Sequence, residues 1–204
     1  MRDFLDILLL LCFCCLPPLF VAFGGLVLYL TLQARNMPRK LAEQMGEQMG
    51  LKPVGESGIR FGGRHQDHAF ELGPGITRSR PGGSWSNTLK VTVEAPMRTP
   101  LGVTAWANRN ASYSLESFDK AFRAEPRNLE RLSAQARAAM LVFVRKHESL
   151  SLRDRPDASR PEPPTGAAVL LEHDLRNPTA VTPDRLQAVL DEMVEVARVI
   201  ETTC

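Results

Sequence analysis

The chain has 204 residues, 24% charged and 44% hydrophobic, with a formal net charge of +2. That length suits one compact domain with additions, and so balanced a charge argues against nucleic-acid binding, which needs a clearly basic domain. Three cysteines, Cys12, Cys14 and Cys15, lie in the apolar N-terminus and the fourth is Cys204, a placement that supplies no disulfide framework and leaves the redox compartment open.

Residues 7–34 contain no charged side chain. As a straight helix rising ~1.5 Å per residue they would extend about 42 Å, more than the ~30 Å of a hydrocarbon core. Pro17 and Pro18 interrupt the run, and proline suits the first turn of a helix rather than its interior. The expected span therefore runs from about Leu16 to Gln33, with Leu16 and Pro18 at its start. Gly24 and Gly25 are small residues inside it, and Tyr29 is an aromatic near one interface. A single helix kinked at the prolines is the alternative arrangement. A cleaved leader is the competing reading. It is disfavoured by Asp3 and Asp6 beside Arg2, and by Leu32 where a cleavage site prefers a small residue. Cys12-x-x-Cys15 has no neighbouring His or Lys to activate a thiol, so packing is the expected role. Arg35, Arg39 and Lys40 outnumber the cations on the other flank, which predicts a single-pass signal-anchor in the cell membrane with the folded part on the cytoplasmic side.

Residues 35–57 are polar, contain the repeat "EQMGEQMG", and read as a stalk between the membrane segment (1–34) and a soluble domain (58–204). "GIRF" and "HAFELG" predict an early strand pair. "RSRPGGSWSN" follows as a loop. In "NTLKVTVEAP", Leu89, Val91 and Val93 alternate with Thr88, Lys90, Thr92 and Glu94, the period of a half-buried strand. "LGVTAWAN" repeats that alternation and is expected to pair with it as a hairpin across a longer loop. From Leu129 through Leu132, Ala136, Met140 and Phe143 the period becomes helical, with Asn128 or Ser133 as N-cap. "ESLSLRDR" returns to alternation, "DASRPEPPTG" breaks it, and "AAVLLEHD" predicts a buried strand. Thr182, Pro183 and Asp184 begin a last helix whose Leu186, Val189, Leu190, Met193, Ala197 and Ile200 form one apolar face. The sum is an α+β domain with a mainly antiparallel sheet and two amphipathic helices, preceded by one transmembrane helix.

Candidate chemistry centres on "FGGRHQDHAFELGPG", residues 61–75. His65, Asp67 and His68 are the densest set of potential metal ligands. If residues 64–72 formed one continuous strand, His65 and His68 would face opposite sides. A metal therefore requires this stretch to curl, and it requires a third ligand such as His147, His173 or Asp174 from elsewhere. A hairpin turn with solvated polar residues is the favoured reading. "FGGRH" and "RPGGS" match neither phosphate-loop pattern, and turn geometry accounts for their glycines. Asp119 with Glu125, and Asp154 with Asp157, are read as solvated rather than as acid/base pairs. No serine stands in a nucleophile elbow. "RSR" at 78–80 and "RDRPDASR" at 153–160 offer arginines to phosphate or anionic lipid, although the interspersed acids favour an ordinary loop. Asn110-Ala-Ser112 is read as a chance glycosylation triplet.

Phe118, Asp119 and Phe122, then Leu132, Ser133 and Arg137, spell FD-x-x-F followed by L-[ST]-x-x-x-R. Across about residues 87–201 this resembles uncharacterised bacterial membrane-anchored proteins in which an FD-x-x-F strand precedes such a helix. The resemblance implies architecture and membrane attachment and carries no activity. Phe118 and Phe122 are expected to face the core, and Asp119 to pair with Arg137. The function expected is a membrane-anchored, non-enzymatic domain that binds or scaffolds another protein, with the bilayer and that protein as partners, no nucleic acid and no cofactor. The alternatives are a metal-binding or hydrolytic domain using His65, Asp67 and His68, and anionic-lipid or phosphate sensing by the loop arginines.

Overall fold

The computed structural model describes residues 23–29, 33, 36–55, 59–78, 85–107, 118–125, 131–154, 167–177 and 180–204. The chain divides into two compact units, Met1–Met37 and Pro38–Cys204.

In the first unit, residues 23–29 are helical. Their large apolar side chains lie in the open, from 46% exposed at Val27 to 67% at Phe23. The Gln33 amide donates to the Tyr29 hydroxyl at 2.8 Å. Leu16 and Pro18 lie outside the described residues, as do half of the other positions in the expected span. Among the described residues no helix is long and apolar enough to cross a membrane.

The second unit is an α+β fold built on one eight-stranded sheet. Its elements in chain order are helix α1 (36–48, of which 38–48 belong to this unit), β1 (Lys52–Val54), β2 (Arg60–His65), β3 (His68–Arg78), β4 (Trp85–Met97), β5 (Thr104–Ala107), the single turn α2 (Phe118–Ala121), β6 (Phe122–Glu125), α3 (Ala134–His147), β7 (Ser151–Asp154), β8 (Ala167–Leu175) and α4 (Pro183–Thr203). The spatial order is β1-β2-β3-β4-β8-β7-β5-β6, and every neighbouring pair is antiparallel.

Period two divides the central strands into two faces. Leu72, Val91 and Leu171 face the helices and are 0% exposed, whereas Glu71, Lys90, Thr92 and Glu172 sit in the alternate positions. On the latter face Glu172 is held by Lys90 at 3.3 Å and Arg153 at 2.8 Å, and Arg60 lies 3.6 Å from Glu71. Burial opposes the ionisation of Glu172, but hydrogen bonds and charge from Arg153 and Lys90 outweigh it and hold the carboxyl below its usual range.

The helix limits follow local chemistry. The Ser133 hydroxyl accepts from the Ala136 amide at 3.0 Å, so of the two candidate N-caps Ser133 starts α3. Glu148 in the left-handed region ends it, and Arg145, Lys146 and His147 complement the carbonyl end of the dipole. Thr182 caps α4 by accepting from the Arg185 amide, and Pro183 occupies the first turn. All six residues expected on the apolar face of α4 are buried.

Three expectations are corrected. "LGVTAWAN" does not pair with β4, because β5 pairs with β6 and β7. The free edge of β4 is taken by β8, in register from Leu89↔Leu175 to Met97↔Ala167. β8 matches far more of β4 than the four residues of β5 could, and its alternate side chains are buried. Burying the longest apolar strands at the centre leaves the short ones for the rim. The second correction is the stalk. Within residues 35–57, Ala42 and Met45 of α1 enter the core and β1 pairs with β2, so the folded unit begins at Pro38. Gly46 explains the docking of α1, since a Cβ there would come within 2.6 Å of the Phe61 ring. The third correction is the FD-x-x-F strand. Phe118 lies in a helical turn and Phe122 begins β6, and the two buried rings stack with centroids 4.4 Å apart.

Candidate functional site

The hairpin joining β2 and β3 turns at Gln66 and Asp67, with φ of 46° and 73°. Two consecutive left-handed residues make the primed turn that suits strand twist, and His65 therefore pairs with His68 across the ladder. Asp67 tolerates that conformation less readily than glycine. Asp67→Gly is expected to raise stability by about 0.5–1 kcal/mol, measured by urea denaturation.

The curl that a metal site required is thus present, yet the two histidines part company. His65 Nε2 lies 2.7 Å from Asp191 Oδ1, an oxygen that also accepts from the Gln66 amide at 2.6 Å. His68 Nε2 lies 2.7 Å from Glu201 Oε1, and its Nδ1 lies 3.0 Å from the Gln66 carbonyl. Both ring nitrogens of His68 are engaged. The backbone carbonyl of Asp67 accepts from Arg64 at 2.9 Å. Asp191 and Glu201 are about 15 Å apart along α4 at the helical rise, so the pairs are separate anchors of the hairpin tip. Among the described residues no group of three or more His, Cys, Asp or Glu is arranged to hold a metal ion.

The other two of the chain's four histidines meet under α4. His147 Nε2 lies 2.8 Å from Glu192 Oε2, and Lys146 bonds the other oxygen. Burial opposes the charge on Glu192, but the hydrogen bonds from Lys146 and His147 prevail and keep its carboxyl below the usual range. The His147 ring lies 5.5 Å from that of His173, and Phe143 contacts both. His173 is 3% exposed, and its Nδ1 lies 2.7 Å from both the hydroxyl and the carbonyl oxygen of Ser149. Burial first, and then the charges of His147, Arg185 and Arg176, lower its pKa from 6.5 to about 4 against the opposing Ser149 hydrogen bond.

By distance alone Ser149 and His173 resemble a nucleophile and its base. Their polarity is wrong for it. The Ser149 carbonyl can only accept, so in the neutral ring Nδ1 carries the proton and cannot take one from the neighbouring hydroxyl. That hydroxyl also bonds the backbone of Asp174 on both its carbonyl and amide sides, at 3.3 and 3.2 Å. Ser149 and His173 together fasten the end of α3 to β8.

Asp154, weighed from sequence as a solvated carboxylate, is structural. Its oxygens accept from the amides of Leu101 and Gly102 at 2.9 and 2.6 Å, and Arg131 donates to the Leu101 carbonyl at 3.1 Å. Removing a charged acceptor from two backbone donors leaves both without that partner. Asp154→Ala is expected to cost about 1–3 kcal/mol by urea denaturation, with Asp154→Asn intermediate. Asp157 and the side chain of Asp119 lie outside the described residues. The pairing of Asp119 with Arg137 is therefore outside them as well. Among the described residues, Arg137 Nε is buried with no hydrogen-bond partner. Arg80, Arg155 and Arg160 are also outside the described residues, as is the side chain of Arg78, whereas Arg153 is committed to Glu172.

Asp191, Glu192, Glu201 and Ser149 escape sequence reading. Each looks like an ordinary polar residue on a helix or beside a strand, and its partner stands 24 to 133 positions away. The only legible hint was that polar residues adjoin an otherwise continuous apolar face of α4.

No family model matches the chain, and no curated protein matches it.

Proposed function

We propose that the chain is a single-pass membrane protein whose folded unit acts by binding another protein, not by catalysis. The observation that carries this reading is the helix at 23–29, where Phe23, Leu26, Val27, Leu28 and Tyr29 are all exposed on a segment with no charge. Apolar residues all around a helix suit a core or a bilayer and are unfavourable in water. The uncharged run of residues 7–34, sufficient at ~1.5 Å per residue for a ~30 Å core, supports the same reading. The excess of Arg35, Arg39 and Lys40 on that flank supports a cytoplasmic side for the folded unit.

The non-catalytic part rests on how the reactive side chains are employed. His65, His68 and His147 each join a carboxylate of α4, and the buried His173 donates from Nδ1 to the Ser149 carbonyl, so it cannot take the proton of the neighbouring Ser149 hydroxyl. These contacts anchor the hairpin, α3 and β8 to one another.

The test uses the full chain. Wild type is expected in the membrane pellet after alkaline carbonate washing and to float with vesicles. The double variant Leu26→Arg with Leu28→Arg should leave the pellet, because each arginine near a span's centre costs about 2.5–3.5 kcal/mol on insertion. Wild type found in the carbonate supernatant would remove the reading.

A further inference from the structure

Among the described residues the sheet ends at β1 and β6, and an unpaired strand edge is a template for another strand. The two ends are built differently. β1 spans only Lys52–Val54, and its exposed Lys52 and Pro53 are residues that resist pairing, since proline offers no N–H.

β6 contains neither lysine nor proline. Phe122 is 3% exposed and fixes the strand to the core, while Arg123 and Glu125 project from its other face into the open. Across β5 they oppose Trp106 and Thr104, which give them no counter-charge. Among the described residues neither Arg123 nor Glu125 meets an ion-pair partner, and no strand covers the outer edge of β6.

We infer that this edge pairs with a second copy of the same chain, β6 against β6, antiparallel about a two-fold axis through Ala124. An axis at Ala124 sets each Arg123 directly opposite the Glu125 of the other copy. Opposite charges placed so across antiparallel strands attract, and like charges repel. A two-fold contact must be self-complementary, and the order Arg-Ala-Glu satisfies that requirement in this register. Two eight-stranded sheets would thereby join into one continuous sheet.

Pro126 follows β6 in the sequence and has no N–H to add to a ladder, so the pairing is that of β6 itself. So short a ladder gives weak association in dilute solution, and confinement of both copies to one membrane would strengthen it through effective concentration. The edge belongs to the folded unit, so the pairing holds whether or not the chain is anchored.

Sedimentation equilibrium of the full chain in density-matched non-ionic detergent tests it. Wild type should show a concentration-dependent monomer–dimer equilibrium. Arg123→Glu, which sets glutamate against glutamate, should weaken the dimer by about tenfold or more, and Glu125→Arg should do the same. The double variant Arg123→Glu with Glu125→Arg restores complementarity with the signs exchanged, and should return the dimer to near the wild-type constant. Circular dichroism checks that each variant is folded, and Glu125→Arg supplies the same reading if Arg123→Glu is not. A strictly monomeric wild type, a dimer indifferent to either single reversal, or a double variant no better than the singles would each overturn the pairing.

Discussion

Leu190→Ala is expected to destabilise the folded unit by about 2–5 kcal/mol, a large fraction of the roughly 5–15 kcal/mol that holds such a domain together. Leu190 is 0% exposed on α4, beside Val189, Met193 and Val194, where that helix lies against β4 and α3. Truncation removes buried methyl groups and leaves a cavity that the stiff sheet cannot close. Val142→Ala is the matched control, because Val142 on α3 is 64% exposed. Its change should stay within about 0.5 kcal/mol. Urea denaturation of both variants reads the difference. A loss at Leu190 no larger than that at Val142 would mean that α4 is not the helix that closes the core.

Acidification from pH 7 to pH 4 is expected to remove up to about 3 kcal/mol of stability through His173 alone. In the unfolded chain this imidazole takes up a proton near pH 6.5, whereas in the folded chain burial delays protonation to about pH 4. The unfolded state thus binds more protons between these values, so stability is full above pH 6.5 and declines as pH falls through the window. Glu172 and Glu192 act at lower pH. Their folded carboxyls are held below the ordinary 4.5, so their contribution is present above that value and is lost as pH falls beneath it. The two causes therefore separate along the pH axis. His173→Asn, which keeps a donor for the Ser149 carbonyl without an imidazole, should flatten the decline between pH 6.5 and 4. An unchanged slope in that variant would assign the decline to other groups.

Much of the fold was legible because it depends on local periodicity. β4 alternates from Leu89 to Val93, α4 repeats at helical spacing from Leu186 to Ile200, and Thr182 and Pro183 mark its start with side-chain chemistry. Pairing between distant strands has no such local mark. The assignment of β5 to β4 followed chain order, while the structure gives that edge to β8, about seventy residues later, because the match of length and apolar character is better there. α1 was missed as part of the domain because its core contribution is small, Ala42 and Met45 among charged residues, and its packing depends on Gly46 meeting Phe61.

The candidate site was legible in its residues and not in its contacts. His65 and His68 stood out by density, and the turn that brings them into register could be anticipated as a hairpin. The carboxylates that claim them, Asp191 and Glu201, come from the last helix, so nothing near the histidines announced them. Ser149 and His173 meet only because β7 pairs with β8 directly beyond the end of α3.

Intact-mass measurement of the mature polypeptide, recovered separately from the membrane and soluble fractions of fresh cells, tests the anchored reading most directly. A membrane-bound chain that retains residues 7–34 is the predicted result. A freely soluble chain that lacks them would contradict it.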